Sequence, residues 1–207
     1  MTDPKQLDSA FQQLANTLAG FLSQNLPQDE VNSEIEKIKP YCKLLRFADS
    51  EHLCVAGDQV DNIFFVVSGL VRFYYLTDDG KFHNKSFSME NQFAGAMQPP
   101  NNKEKVRFNI QALEPCLTLA IPVKQLYALY TQSLLWANIG RVQGETLALR
   151  KQRREEQFLL DSAETRYQSF IQQYPTLVNR LPLYHIASYL GITDVALSRI
   201  RRRLNPG

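Results

Sequence analysis

Two patterns of hydrophobic and polar positions divide the chain. At the N-terminal end, apolar residues recur every three or four positions, which predicts helices in pieces over residues 7 to 45. From Phe47 to Ile121, short runs of β-branched and aromatic residues alternate with turn residues, as in a β-sandwich, roll or barrel. The stretch TDDG at 77–80 lies between two such runs and predicts a hairpin. The strand-like runs read NIFFVV, LVRFYYL, KSFSM, VRFNIQAL and CLTLAI.

Pro122 ends the β region, and a helical pattern follows over residues 133 to 157. Five positions there step by four, three, four and three, which is the a/d spacing of a coiled-coil seam. Two heptads fit a helix that pairs two copies of the chain, and they fit equally a helix docked on its own domain. Both interpretations stay open on the pattern alone. The seam residues are Leu135, Ile139, Val142, Thr146 and Leu149.

The next helix is marked by its start and by its end. Asp161 and Glu164 form a capping pattern that predicts a helix over about 163–173, which closes before Pro175. Just upstream, residues 150–154 read RKQRR. We expect Lys151, Arg153 and Arg154 in that run to form a solvated helix face.

Residues 183 to 202 have the spacing of a helix-turn-helix. Ile186, Ala187 and Leu190 give the first helix an apolar stripe, and Gly191 supplies a left-handed position that ends it. Ala187 must be small because the second helix crosses close to it. Further along, Ile192 closes the corner, Thr193 is placed to N-cap the second helix, and Leu197 and Ile200 form its inward face.

The opposite face of the second helix is the candidate DNA-binding surface. Arg199 is suited to bidentate bonding with guanine, Ser198 to a base or a phosphate, and Val195 to apolar contact only. The three arginines that follow would neutralise phosphates, a contribution that weakens as salt rises. Asp194 fits a first-turn partner of the helix dipole better than a base reader. The candidate DNA-binding residues are Thr193, Asp194, Val195, Ser198, Arg199, Arg201, Arg202 and Arg203.

Composition narrows the class of protein without naming a partner. Hydrophobic residues make up 44% of the 207 residues and charged residues 21%, which is typical of a packed soluble protein. The net charge is only +2, yet residues 150–154 and 199–203 hold eight of the 23 Lys and Arg. No run is apolar enough to cross a membrane and the N-terminus lacks a signal peptide, so we expect a cytoplasmic protein. Three widely spaced cysteines predict free thiols.

No pattern of an enzyme is present in the sequence. A cupin-type metal site needs several His and a Glu converging in the barrel, and only His83 lies in the right region. Neither Gly-x-Ser-x-Gly nor a P-loop occurs. We therefore expect no catalytic residues, no metal site and no enzymatic activity.

The order of β region, long helix and helix-turn-helix resembles the Crp/Fnr family of bacterial transcription regulators. The segment GDQVDNIFFVVSGLVRFYYLTDDGK and the string IASYLGITDVALSRI carry the resemblance, which covers roughly residues 40 to 204. It implies an α+β fold with an N-terminal β-roll, a double-stranded jelly roll like a cyclic-nucleotide-binding domain. A dimerisation helix and a C-terminal helix-turn-helix domain follow. The implied boundaries are 1–132 for the N-terminal helices and roll, 133–160 for the dimerisation helix and hinge, and 161–207 for the DNA-binding domain.

The resemblance also shows where this chain departs from its relatives. Cyclic-AMP-binding members carry Gly-Glu for the ribose and, about ten residues later, Arg-Ser or Arg-Thr for the phosphate. The matching places here read Gly95-Ala96 and Val106-Arg107, and Arg107 comes one position late, so cyclic AMP is not the expected ligand. Many members carry Glu where Val195 stands, so a family-standard operator is not assumed. No iron–sulfur or haem ligands are evident, and we expect His185 at the surface or at a phosphate.

The sequence thus predicts a homodimeric, sequence-specific DNA-binding regulator with an inverted-repeat operator. Its implied partners are double-stranded DNA, a second copy of the chain, RNA polymerase and an unknown small-molecule effector in the roll, acting on a hinge near 155–162. No cofactor is evident and no membrane partner is expected. After Leu204 only Asn-Pro-Gly remains, so no wing is expected. The alternative is a small-molecule-sensing or partner-binding β-roll module whose helical end contacts protein rather than DNA.

Overall fold

A computed structural model describes residues 3–21, 27–96 and 104–204 of the chain. These residues form two compact units, and two segments of the chain contribute to each of them. The first unit comprises Met1–Phe73 and Phe87–Glu145, and the second comprises Tyr74–Ser86 and Thr146–Gly207. This division differs from the boundaries predicted at 132 and 160, because a short segment of the β region groups with the C-terminal helices.

The N-terminal helices appear where the apolar spacing predicts them. Helix α1 spans Pro4–Phe21 and α2 spans Gln28–Ile38, and a 3₁₀ turn follows at Lys39–Tyr41. The helical prediction was wrong for residues 43–45, which belong to the first strand. The described residues of the β region form eight strands: β1 Lys43–Phe47, β2 His52–Cys54, β3 Asn62–Ser68, β4 Val71–Leu76, β5 Phe82–Ser88, β6 Phe93–Ala94, β7 Asn109–Ala112 and β8 Cys116–Pro122.

The strands form two four-stranded sheets with the orders β1-β8-β3-β6 and β2-β7-β4-β5. The β1–β8, β3–β8, β3–β6 and β2–β7 pairs are antiparallel. Alternation along β3 divides its side chains between two apolar cores. Phe64 and Val66 pack with residues of the second sheet, such as Val71 and Ile110. Phe65, between them, faces the helices.

Helices cover the outer face of the first sheet. Helix α3 spans Val123–Gln132 and α4 spans Leu134–Leu160. The core that joins them to α1 and α2 includes Phe65, Leu119 and the fully buried Trp136. The apolar positions at the start of α4 therefore stabilise the roll itself.

Four short helices follow α4. They are α5 Ala163–Gln173, α6 Leu177–Arg180, α7 Leu183–Leu190 and α8 Asp194–Leu204. The predicted bounds of α5 are confirmed, but its cap was assigned to the wrong residue. Ser162, not Asp161, is the N-cap, and its Oγ accepts a hydrogen bond from the Thr165 amide at 3.1 Å. Ser is a strong N-cap residue, and it lies immediately before the first helical position.

The architecture agrees with the fold class predicted from the sequence. The structure combines antiparallel sheets of a β-roll with a long helix and a set of C-terminal helices. The hairpin prediction is also confirmed, since the Thr77 amide bonds to the Lys81 carbonyl at 2.9 Å between β4 and β5. None of the helices in the described ranges has the length and apolar character needed to cross a bilayer.

Candidate nucleic-acid interface and β-roll cavity

The turn between α7 and α8 has the geometry that the helix-turn-helix spacing predicts. Gly191 adopts the left-handed conformation, with φ 69° and ψ 34°, directly after the last residue of α7. The Ile192 amide donates a hydrogen bond to the Ala187 carbonyl at 3.0 Å, which satisfies one of the carbonyls at the C-terminal end of α7. A Cβ on Gly191 would lie 2.8 Å from a ring carbon of Phe158. The left-handed backbone conformation therefore favours glycine here, and a Cβ would also force the Phe158 ring to shift.

Helix α8 begins at the residue that the sequence indicates. The Oγ1 of Thr193 accepts a hydrogen bond from the Ala196 amide at 3.2 Å, so Thr193 caps the helix. Leu197 and Ile200 are buried, as is Ala187 on the facing helix. Leu197 and Ile200 therefore form the inward face of α8, as the sequence predicts.

The other face of α8 is open to solvent. Asp194, Val195, Ser198, Arg199 and Arg202 are all exposed, and Val195 is 61% exposed. Neither Arg199 nor Arg202 makes an ion pair with another described residue.

The other two arginines predicted to contact phosphates, Arg201 and Arg203, are in different surroundings. Arg203 is exposed, but its Nη2 lies 2.6 Å from a carboxylate oxygen of Glu164 on α5. Arg201 is half-buried. The ion pair ties the end of α8 to α5, so Arg203 has a competing anion that Arg202 lacks.

His185 is not at the surface, and the expectation of an exposed or phosphate-contacting side chain was wrong. The residue is 3% exposed on α7. Its backbone carbonyl accepts a hydrogen bond from the Asn84 side-chain amide at 2.9 Å, and its Nδ1 lies 3.2 Å from the same nitrogen. Asn84 comes from β5, and nothing in the local pattern of that strand signals the contact.

Arg154 is also packed rather than solvated. Its Nη2 donates to the Tyr189 carbonyl at 2.7 Å and to the Asn84 carbonyl at 3.2 Å. Arg166 donates to the Leu190 carbonyl at 3.2 Å. Both guanidinium groups therefore satisfy carbonyls at the C-terminal end of α7, where a positive charge is favoured. The neighbours Lys151 and Arg153 are exposed, as expected.

The predicted seam on α4 is divided between two environments. Leu135 and Ile139 are buried in the core of the roll, so they are not available to a partner, and that part of the seam was wrong. Val142 and Thr146 are half-buried, and Leu149 is exposed. The exposed large apolar residues of the second half of α4 are Leu147, Leu149, Phe158, Leu159 and Leu160.

A cavity of about 230 Å³ lies in the β-roll, within the first unit. Gly95 and Ala96, two of the four predicted pocket residues, line it. Val106 is buried and Arg107 exposed, and neither is among the described residues that line the cavity. The strand predicted from residue 106 begins only at Asn109, so strand alternation does not determine where these two side chains point.

The polar lining of this cavity is acidic. Asp58 and Asp61 contribute carboxylates, and no Lys or Arg is among its described lining residues. Cys54 also lines it, and burial, with the nearby Asp58 charge, raises the pKa of this thiol to about 11. A neutral thiol is a poor nucleophile and a poor metal ligand. Within the described ranges, no three metal-ligating side chains converge.

Comparison with known proteins agrees with this architecture. Residues 44–133 match the family of the cyclic nucleotide-binding domain. The solved structure of the c-di-GMP-responsive global regulator CLP of Xanthomonas campestris has a TM-score of 0.68 at 17% identity, covering 84% of this chain and 91% of that one. FixK2 of Bradyrhizobium japonicum has a TM-score of 0.65 at 19% identity, covering 79% of this chain and 84% of that one.

A third solved structure carries the family name itself. It is described as a transcriptional regulator of the Crp/Fnr family from Eubacterium rectale, with a TM-score of 0.65 at 17% identity over 83% of this chain and 82% of that one. A comparison with curated protein sequences finds no match. Residues 44–133 therefore form a domain of the cyclic-nucleotide-binding type. The resemblance noted in the sequence is confirmed, because the chain shares its fold with solved regulators of the Crp/Fnr type.

Proposed function

We propose that this chain is a sequence-specific DNA-binding transcription regulator that acts as a homodimer. The observation that carries the proposal is the open face of α8, where Ser198, Arg199 and Arg202 are exposed beyond a capped and correctly turned helix-turn-helix. A regulator of this kind works on cytoplasmic DNA and acts on RNA polymerase at the promoter that it binds.

The roles of the exposed residues follow from their chemistry. Arg199 lies in the second turn of α8 and has the planar fork that bonds guanine O6 and N7 together. Ser198 and Val195 lie on the same face and add one adaptable hydroxyl and one apolar contact. Arg202 is one turn further on and suits a phosphate. The ion pair with Glu164 makes Arg203 a weaker phosphate ligand than Arg202.

The second half of α4 is the proposed dimer contact. Leu149 and Leu160, eleven residues apart, lie on one side of the helix there and are exposed, whereas the first half of the helix packs in the roll. Pairing two copies through these leucines removes apolar surface from water. Two-fold symmetry then implies an inverted-repeat operator, with half-sites about one helical turn apart.

The effector of the roll is proposed to be something other than cyclic AMP. A buried cyclic phosphate needs a fixed cation and donors. The cavity is lined instead by Asp58, Asp61 and Ala96, with no basic residue among the described lining. Carboxylates in those places repel a phosphate, so a bound ligand would be neutral or cationic.

Selection from a random duplex library tests the proposal. We expect wild-type protein to enrich an inverted repeat, and the affinity for that site to fall steeply as salt rises. Arg199→Ala should lose about 1–3 kcal/mol and flatten the preference at one base pair. Arg202→Ala should weaken binding to all sequences and reduce the salt slope by about two, because each subunit of the dimer loses one phosphate contact.

Arg153→Ala, which removes an exposed arginine from α4, is the matched control and should leave the base preference unchanged. Failure to enrich any sequence would overturn the proposal. Binding to a protein with little salt dependence would instead support the module whose helical end contacts protein.

A further inference from the structure

The β4–β5 hairpin holds the helix-turn-helix through one buried side chain. Asn84 on β5 is 2% exposed. Its amide nitrogen donates to the His185 carbonyl at 2.9 Å and lies 3.2 Å from His185 Nδ1. Phe82 on the same strand packs against the rings of Tyr184 and His185, with centroids at 6.1 and 5.7 Å. The hairpin and α7 therefore make polar and apolar contact over a single short stretch.

One hydroxyl group of α7 satisfies the backbone of β5. Ser188 Oγ accepts a hydrogen bond from the Asn84 amide at 2.9 Å and donates to the Phe82 carbonyl at 3.1 Å. A strand normally satisfies such groups with a neighbouring strand. Here Ser188 of α7 forms those hydrogen bonds in place of a neighbouring strand.

Arg154 brings the second half of α4 to the same point. Its guanidinium donates to carbonyls of Asn84 and Tyr189, and its central carbon lies 3.8 Å from the centroid of the Tyr189 ring. Hairpin, α4 and α7 thus meet at one residue, and all three segments belong to the same compact unit. We call Asn84, Arg154, His185 and Ser188 the Asn84 clasp.

The clasp fixes an angle better than apolar packing does. Hydrogen bonds weaken steeply when their angle is wrong, so the bonds that link Asn84, Ser188 and Arg154 form together in one orientation of α7 against α4, although the buried Asn84 Oδ1 has no hydrogen-bond partner among the described residues. Gly191 then connects α7 to α8 through a tight turn. The direction of α8, the proposed recognition helix, relative to the second half of α4 therefore depends on the clasp.

We propose that the Asn84 clasp sets the spacing between operator half-sites. This inference rests on the proposed function, in which two copies pair through the second half of α4. In such a dimer, the angle of α8 to α4 fixes the distance and rotation between the two recognition helices. One added base pair moves a half-site by about 3.4 Å and about 35°. A rigid clasp rejects that change, whereas a released one tolerates it.

The experiment begins with the inverted repeat that wild-type full-length protein enriches from random duplexes. A series of duplexes then keeps both half-sites and adds or removes one or two base pairs between them. We expect wild-type affinity to fall about tenfold or more for each changed base pair, because protein or DNA must deform. Ser188→Ala, Asn84→Leu and Arg154→Met should reduce that penalty to about threefold or less.

The same variants should keep their preference for the bases within a half-site, because α8 and its exposed face are unchanged. Two matched controls follow from the structure. His83→Ala alters the exposed neighbour of Asn84, and Arg153→Met removes an exposed arginine next to Arg154. Both controls should keep the wild-type spacing penalty.

Each outcome separates the inference from the proposed function. If wild-type protein enriches no sequence, the proposed function fails, and the inference about half-site spacing fails with it. If it enriches a site but the clasp variants keep the wild-type spacing penalty, only the inference is overturned. A parallel loss of base preference would also overturn it, by showing general damage. Ser188→Ala removes a single oxygen atom, so it carries the test even where the larger changes impair folding.

Discussion

The β-roll and the C-terminal unit differ in the contacts that each of them makes internally. In the roll, alternate residues of β3 feed two apolar cores, one between the sheets and one under the helices. In the C-terminal unit, guanidinium groups, a hydroxyl and a side-chain amide hold α7 by its backbone. Apolar cores tolerate small shifts, whereas directional bonds select one arrangement. The C-terminal unit also buries apolar residues, such as Phe170, Leu177 and Ile186, and the directional bonds add a constraint on the orientation of α7.

The largest expected effect separates the two halves of α4. Ile139→Glu puts a charge into the core of the roll, and we expect a loss of about 3–5 kcal/mol in unfolding free energy. Leu149→Glu changes an exposed residue and should leave the stability of the single chain within about 0.5 kcal/mol. Urea denaturation measures the first effect. Sedimentation tests the dimer contact, because Leu149→Glu should shift the protein towards monomer. An unchanged assembly would show that the dimer contact lies elsewhere.

The next effect concerns the turn of the helix-turn-helix. Gly191→Ala forces a side chain into a left-handed conformation and against the Phe158 ring, and should cost about 1–3 kcal/mol. Gly144→Ala is the matched control, because a Cβ there meets no atom within 4 Å. In the helix interior that change should stabilise the chain by about 0.5–1 kcal/mol. Equal effects in thermal unfolding would contradict the strain assigned to Gly191.

A smaller effect is expected at the cap of α8. Thr193→Ala removes the oxygen that accepts from the Ala196 amide, and should cost about 1 kcal/mol. Ser198→Ala, on the exposed face of the same helix, should cost nothing measurable in urea denaturation. A similar loss for both variants would mean that the Thr193 hydroxyl does not cap the helix.

The smallest expected effect depends on pH. Burial, reinforced by the nearby charge of Lys151, lowers the pKa of Lys85 on the hairpin from 10.5 to about 8. The charged form therefore weakens the folded state below pH 8, and this penalty disappears as pH rises from 8 towards 10.5. Lys85→Met should raise the melting temperature at pH 7, and its advantage should shrink by pH 10. Lys81→Met, at an exposed position of the hairpin, controls for the loss of one charge, and a constant advantage for Lys85→Met would contradict the assignment.

The sequence predicted best what short-range chemistry determines. The left-handed glycine, the Thr193 cap and the buried Leu197 and Ile200 all depend on neighbours within one or two turns, and all are present. Alternating runs likewise predicted most of the strands. The roles of the exposed residues in DNA binding stay predictions, since exposure permits a contact without making it.

The sequence could not predict contacts between distant segments. Asn84 and His185 lie 101 positions apart, and neither has an unusual local pattern. A stepping apolar pattern cannot say whether its partner is the same chain or another, and so the start of the α4 seam was misassigned. Arg154 was predicted to be solvated because a run of basic residues does not indicate which distant backbone carbonyls its side chains will bind.

The Asn84 clasp has a consequence for how this protein and its descendants diverge. Three side chains of the clasp make different hydrogen bonds and cannot replace one another. The Asn84 side chain binds one backbone carbonyl, Ser188 binds two backbone groups of β5, and Arg154 binds two carbonyls. Among close homologues, positions 84, 154 and 188 should therefore change together or not at all, while position 153 drifts freely. A lineage that loses one of the three residues should also acquire an operator of a different length.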